Sequence, residues 1–143
     1  MTDASSTSPS REEAFGRALV ARTTFDKEAV WLPNLAVHHW NAGLTTISGK
    51  TFTDCLIEGP AVLAVMTGTA FDSCAMGMTT DPKTLLLRPL GASVAGVIGM
   101  ADCKFVRCRF VQVGFTGADG LLDELQAHIA SGNARMEEDA AQQ

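Results

Sequence analysis

Residues 98–115 read IGMADCKFVRCRFVQVGF, and this stretch decides the fold that the sequence predicts. Apolar residues recur in it at steps of five, in two series: Met100, Phe105, Phe110 and Phe115, and, two residues earlier, Ile98, Cys103, Cys108 and Val113. A period of five fits neither the 3.6-residue period of a helix nor the two-residue period of a strand, so the backbone must turn a corner every few residues. Both series can then point inward, while Lys104, Arg107 and Arg109 point outward.

The same unit occurs earlier in the chain. Phe-x-x-Cys followed by x-apolar begins at Phe52, Phe71 and Phe105, and the first two copies are 19 residues apart. Four five-residue units would make one coil of about 20 residues, which is close to this 19-residue step. Equivalent residues of successive coils are therefore predicted to stack above one another. One inward position of the first run holds Lys50, where a small residue is expected. The four cysteines are predicted to be buried thiols that fill a narrow core beside the phenylalanines: Cys55, Cys74, Cys103 and Cys108.

These units resemble the repeats of the pentapeptide-repeat proteins, which place a small residue at one inward position and Leu or Phe two residues later. The resemblance is good over 98–115, weaker over 45–62 and 69–76, and absent in 78–93, and Lys104 and Arg109 replace the family's usual Asp or Asn. It implies a right-handed, nearly square β-helix. A broader parallel β-helix with less regular coils is the alternative, and it explains the same residues without requiring a strict five-residue repeat.

We therefore predict a mainly β protein, a small right-handed parallel β-helix (β-solenoid) of three to four coils with short N- and C-terminal capping helices. Residues 11–22 and 120–130 are the predicted helices, because each carries apolar residues at helical spacing. Residues 29–40, AVWLPNLAVHHW, predict two short strands around a turn at Pro33. The expected organisation is a mobile N-terminal tail over 1–10, a single domain over 11–131 and a polar acidic tail over 132–143.

Charge and composition exclude several classes of function. The 143 residues carry 11 Lys and Arg against 16 Asp and Glu, and the resulting net charge of −5 has the wrong sign for a non-specific nucleic-acid binder. Residues 1–10 lack the pattern of a signal peptide, and the low-charge run 89–101 is too short to cross a bilayer. We therefore expect a cytoplasmic protein with no membrane partner.

No cofactor or metal is predicted. The sequence contains neither Gly-x-Gly-x-x-Gly nor Gly-x-x-x-x-Gly-Lys, the glycine patterns that hold nucleotides. Structural zinc sites use close pairs of cysteines, whereas Cys55 and Cys74 are 19 residues apart and four residues separate Cys103 from Cys108.

Two polar clusters are candidate sites. The first is a ligand pocket built from adjacent residues of one segment and two residues of the 78–93 insertion: His38, His39, Trp40, Asn41, Asp81 and Arg88. One packed and one solvated histidine is the alternative interpretation. The second cluster is the outer cationic patch of Lys104, Arg107 and Arg109, which could meet an acidic partner or remain a solvated face.

The function that these features predict is a non-catalytic binding or assembly module. Its partner would be another protein or itself, and we expect a homo-oligomer because a stacked core leaves flat faces and ends that can associate. The alternative is a small ligand-binding protein or enzyme with a pocket near residues 38–41 and the 78–93 insertion.

Overall fold

The computed structural model describes residues 11–77, 81–91 and 94–141, with side chains described to residue 130. Its helices are α1 (Arg11–Ala21), α2 (Leu32–Asn41) and α3 (Asp119–Ala141), and a short 3₁₀ turn spans Pro82–Leu85. Its strands are β1 (Thr24–Asp26), β2 (Ala29–Trp31), β3 (Thr46–Ser48), β4 (Thr51–Thr53), β5 (Leu56–Val65), β6 (Ala70–Asp72), β7 (Leu86–Leu87), β8 (Ile98–Ala101), β9 (Lys104–Val106) and β10 (Arg109–Thr116).

The strands form two parallel sheets. The four-stranded sheet has the order β1-β4-β9-β6, and the six-stranded sheet has the order β3-β8-β5-β10-β7, with β2 also paired to β5. In the first sheet the register aligns Phe25, Phe52, Phe105 and Phe71. Their rings stack with centroid distances of 4.7, 4.8 and 5.2 Å, so the inner side of this sheet is a column of phenylalanines.

The prediction of a mainly β right-handed β-solenoid is wrong. The chain is a mixed α/β protein with two parallel sheets and, in the part of the chain that the structure describes, three α-helices. Successive coils of a solenoid stack in chain order, but here β9 lies between β4 and β6. The ten-residue strand β5 also pairs with β10 on one side and with β8 on the other, so it continues where a coil would turn a corner.

The side-chain pattern behind that prediction is confirmed. All eight residues of the two five-residue series between 98 and 115 are buried, with exposed fractions of 0 to 8%. The charged side chains between them, Lys104, Arg107 and Arg109, are exposed. The five-residue spacing therefore identified the inward side of the strands correctly, although it did not determine which strands become neighbours.

The helices differ in part from the expectations. The helix predicted over 11–22 is α1, but residues 29–40 form β2 and then α2 rather than two strands. Pro33 lies in the first turn of α2, where its missing N–H costs nothing. The buried residues of α2 have the i, i+3, i+4, i+7 spacing of an amphipathic helix: Leu32, Leu35, Ala36 and His39.

The C-terminal helix is longer than predicted. Its apolar residues Leu122, Leu125 and Ile129 are buried, as expected for a helix that covers the core. However, α3 continues through Gly132 and Asn133 to Ala141, so the predicted end near residue 130 is wrong. A glycine inside a helix costs only about 1 kcal/mol, and the alanines, arginine, methionine and glutamates that follow favour the helix. The predicted tail 1–10 lies outside the described residues.

None of the helices in the described ranges combines the length and the apolarity needed to cross a membrane.

Candidate functional site

A cleft separates α1 from α2. Its volume is about 740 Å³, and it is lined by both helices: Glu12, Glu13, Gly16, Arg17, Val20, Asn34, Val37, His38, Asn41 and Ala42. The helices approach closely because Gly16 has no side chain, and a Cβ atom there would lie 2.2 Å from Nδ1 of His38. The ring of Phe15 meets the His38 ring edge-on, with the centroids 6.0 Å apart. Gly16 and Phe15 thus hold the imidazole at one wall of the cleft.

The residues 38–41 are divided between different sides of α2. His38 and Asn41 line the cleft, whereas Trp40 is mostly exposed and is not among its lining residues. His39 is buried on the core side, where its Nδ1 lies 2.8 Å from the carbonyl oxygen of Leu35 and donates to it. Burial lowers the pKa of His39, which favours the neutral imidazole. The interpretation with one packed and one more accessible histidine fits this arrangement.

Asp81 and Arg88 belong to another region of the molecule. The side chain of Asp81 accepts a hydrogen bond of 3.0 Å from the backbone N–H of Lys83 and so caps the 3₁₀ turn. Arg88 forms an ion pair with Asp119 and lies 3.6 Å from Asp123, in the first turn of α3. Neither side chain is among those that line the α1–α2 cleft.

The cationic patch is partly neutralised by its neighbours. Nε of Arg107 donates to Oδ1 of Asp54 at 2.8 Å, and a second nitrogen of the guanidinium donates to Oδ2 at 3.2 Å. This pairing lowers the pKa of Asp54 and raises that of Arg107. Lys104 and Arg109 are exposed on the adjoining strands. The three cations therefore lie on the outer surface as predicted, and the Asp54 carboxylate pairs with one of them.

An uncharged apolar surface lies beside the cleft, and the sequence reasoning did not find it. We define the α2 outer face as Val37 and Trp40, which are one helical turn apart, and Leu44, which follows the end of the helix; they are exposed by 45, 53 and 44%. Phe15 and Trp31 are also largely exposed in this part of the chain. The sequence of α2, LPNLAVHHWN, has no Asp, Glu, Lys or Arg. Helical rather than strand periodicity in residues 32–41 was the signal that could have identified this face.

Three of the cysteines form a column across neighbouring strands. Arg109 is the register partner of Leu56 and forms a bridge with Ala75, so the preceding residues Cys108, Cys55 and Cys74 are neighbours. Each thiol donates to the carbonyl oxygen of a phenylalanine on the next strand: Cys55 to Phe25 at 3.4 Å, Cys108 to Phe52 at 3.2 Å and Cys74 to Phe105 at 3.2 Å. We call this set the cysteine column.

The thiols differ in their surroundings. Cys55, Cys103 and Cys108 are buried, whereas Cys74 is partly exposed. Burial raises the pKa of Cys55 and of Cys103, so both favour the neutral thiol. Within the described residues, no three His, Cys, Asp or Glu side chains are grouped so that they could hold a metal ion.

Comparisons with known proteins identify no relative. No protein-family model, no curated protein and no solved structure matches this chain. The resemblance to pentapeptide-repeat proteins therefore has no family match behind it, and any function must be argued from the cleft, the α2 outer face and the cysteine column.

Proposed function

We propose that the protein is a non-catalytic assembly module that forms a homodimer through the α2 outer face. The observation that carries this proposal is the exposure of Val37 and Trp40 on a helix whose opposite side is buried, together with the exposure of Leu44 just after that helix. A helix that is apolar on two sides is typical of one that packs against a partner on the second side. Tryptophan is also among the residues that contribute most to binding at protein interfaces.

The chemistry of this face favours a second copy of the chain as the partner. Helix α2 carries no Asp, Glu, Lys or Arg, so two α2 helices related by a twofold axis would bring no like charges of their own together. The polar side chains beside it, Asn34, His38 and Asn41, can each donate and accept hydrogen bonds. Such groups can pair with their own copies across the axis. The proposed setting is the cytoplasm, without a nucleic-acid or membrane partner.

The mass of the 143-residue chain in solution tests this proposal. Light scattering after size-exclusion chromatography should give twice the protomer mass of 15.1 kDa. Trp40→Glu should yield a monomer with unchanged far-UV circular dichroism, because it places a charge in the proposed interface. Val111→Glu is the matched control, since Val111 is similarly exposed, by 44%, on β10. This variant should remain a dimer.

Two results would contradict the dimer. One is a monomeric wild type at about 1 mM protein, a concentration at which even weak association is visible. The other is equal loss of the dimer in Val111→Glu and Trp40→Glu, which would place the interface elsewhere or indicate a general effect of charge.

A second candidate function is the binding of a small ligand in the α1–α2 cleft. The cleft volume of about 740 Å³ lies in the range of roughly 300–1,000 Å³ that ligand sites occupy. Asn34, His38 and Asn41 would supply the polar groups that orient a ligand. A stoichiometric extra mass in the native mass spectrum of the purified protein, lost in His38→Ala and kept in His128→Ala, would favour this candidate over the assembly module.

A further inference from the structure

We propose that Cys74 and Cys108 form a redox pair, in which a hydroperoxide oxidises Cys74 first and Cys108 then closes a disulfide with it. The proposal is independent of the dimer and of the ligand cleft. It assigns a modification site to two thiols whose neighbours in the core, Cys55 and Cys103, are buried and serve only as packing.

The sheet register brings the two thiols together. The parallel bridge between Ala75 and Arg109 makes the preceding residues, Cys74 and Cys108, direct neighbours on adjacent segments of the chain. Adjacent strands are about 4.8 Å apart, and disulfides span Cα distances of roughly 4.4–6.8 Å. A disulfide between these two positions therefore requires only a small local movement of the backbone.

Exposure assigns different roles to the two thiols. Cys74 follows β6, which lies at the edge of the four-stranded sheet, and it is the partly exposed cysteine. Cys108 is only 1% exposed and lies between Cys74 and Cys55 in the cysteine column. A hydroperoxide in solution can thus reach Cys74, whereas Cys108 is accessible only to a neighbouring sulfur.

The electrostatic coupling between the two side chains supports the same division. Interaction with the Cys108 side chain lowers the pKa of Cys74, and the same interaction together with burial raises the pKa of Cys108. The thiolate is the form that attacks peroxides, so the more accessible sulfur is also the more readily ionised one. The charge of the nearby Asp72 carboxylate acts in the opposite direction on the pKa of Cys74, but the net shift is downward.

The chemistry takes two steps. The Cys74 thiolate attacks one oxygen of the hydroperoxide, the O–O bond breaks, and the departing alkoxide or hydroxide takes a proton from solvent, which leaves a sulfenic acid on Cys74. The Cys108 sulfur then attacks the sulfenic sulfur, an S–S bond forms and the S–O bond breaks. The departing hydroxide takes the Cys108 proton and leaves as water. The hydroperoxide gains two electrons, and the two thiols together lose two.

The experiment uses the full chain, hydrogen peroxide as the oxidant and intact mass after alkylation under denaturing conditions. The wild type should lose two hydrogen atoms, and the number of thiols that can be alkylated should fall from four to two. A thiol reductant should restore all four. Cys108→Ser should stop at the sulfenic acid, which dimedone traps on Cys74. The matched controls Cys55→Ser and Cys103→Ser should still form the disulfide.

A second measurement uses only the wild type, so its result does not depend on whether a variant folds. In the native wild type, iodoacetamide should modify Cys74 at least about tenfold faster than the other three cysteines, because Cys74 is partly exposed and its pKa is lowered, whereas the others are buried. The proposal fails if the four thiols react at similar rates, or if the disulfide still forms in Cys74→Ser. Accumulation of a sulfenic acid in the wild type without a disulfide would also overturn it.

Discussion

Lys50 occupies a core position of the five-residue pattern, where a small residue was expected. Its side chain is only 3% exposed, and Nζ donates to the carbonyl oxygens of Val20, at 2.8 Å, and Arg22. These carbonyls lie at the C-terminal end of α1, where a helix has acceptors without intrahelical partners and favours a cation. The guanidinium of Arg22 covers the ring of Phe25 at 4.2 Å. Lys50 thus fastens α1 to the end of the phenylalanine column.

The burial of Lys50 predicts a dependence of stability on pH. Burial lowers the pKa of Lys50 in the folded protein from its ordinary value of 10.5. Between the folded and unfolded pKa values the unfolded chain binds more protons, so the free energy of unfolding rises with pH in that window. Urea unfolding of the wild type and of Lys50→Met should show a difference that increases as the pH approaches about 10.5.

The control for this prediction is Lys83→Met, because Lys83 is exposed in the 3₁₀ turn. Its difference from the wild type should not change over the same range. A wild-type advantage over Lys50→Met that stays flat or declines towards high pH would show that the ammonium carries no burial penalty.

At the scale of elements, the four-stranded sheet depends on its ring column. Phe105 is fully buried, with its ring stacked between those of Phe52 and Phe71. The same ring also contacts that of Phe110, on the strand after the corner, at a centroid distance of 5.2 Å. Strands of three residues form few backbone hydrogen bonds with their neighbours. Packing within the phenylalanine column therefore supplies much of the stabilising energy of the sheet formed by β1, β4, β9 and β6.

Replacement of Phe105 by Ala should therefore lower the free energy of unfolding by about 3–5 kcal/mol, because it leaves a cavity in the middle of the column. Leu90→Ala is the control, since Leu90 is fully exposed. It should change stability by less than about 0.5 kcal/mol. Chemical denaturation measures both values, and wild-type stability of Phe105→Ala would disprove that the column is the main support of the sheet.

At the scale of the whole molecule, strands from the later part of the chain lie between or beside strands from the earlier part. Residues of β9 separate β4 from β6, and β8 and β10 both pair with β5. The strands between 24 and 72 therefore lack several of their neighbours until the segment that ends at Thr116 is present. Contacts between residues so distant in sequence form slowly and depend on the complete chain.

This interleaving predicts opposite results for two truncations. A chain that ends after residue 97 lacks β8, β9 and β10 and should show no cooperative thermal unfolding by circular dichroism. A chain that ends after residue 130 keeps the buried residues Leu122, Leu125 and Ile129 of α3 and should unfold cooperatively. Cooperative unfolding of the shorter chain would mean that its early strands find other partners.

The sequence alone determined which side chains between 98 and 115 are buried, the position of α1 and the apolar stripe of α3. These features are local, since alternation within a short strand and the spacing of a helix depend on residues only a few positions apart. The same reasoning failed at residues 32–41, where Pro33 was taken as the turn between two strands and is instead in the first turn of α2. The prediction that all four cysteines are buried is confirmed for Cys55, Cys103 and Cys108, whereas Cys74 is partly exposed.

Only the tertiary structure decided the order of the strands, the α1–α2 cleft and the pairing of Cys74 with Cys108. Several strands carry the same inward Phe or Ile and the same small residue at the corner, so the sequence offers many equivalent registers. The choice between them depends on how complete sheets and helices fill a shared core, as when Lys50 ties the end of α1 to the turn after β3. A local repeat can therefore identify the inward face of each strand, but the neighbour of each strand is a property of the packed molecule.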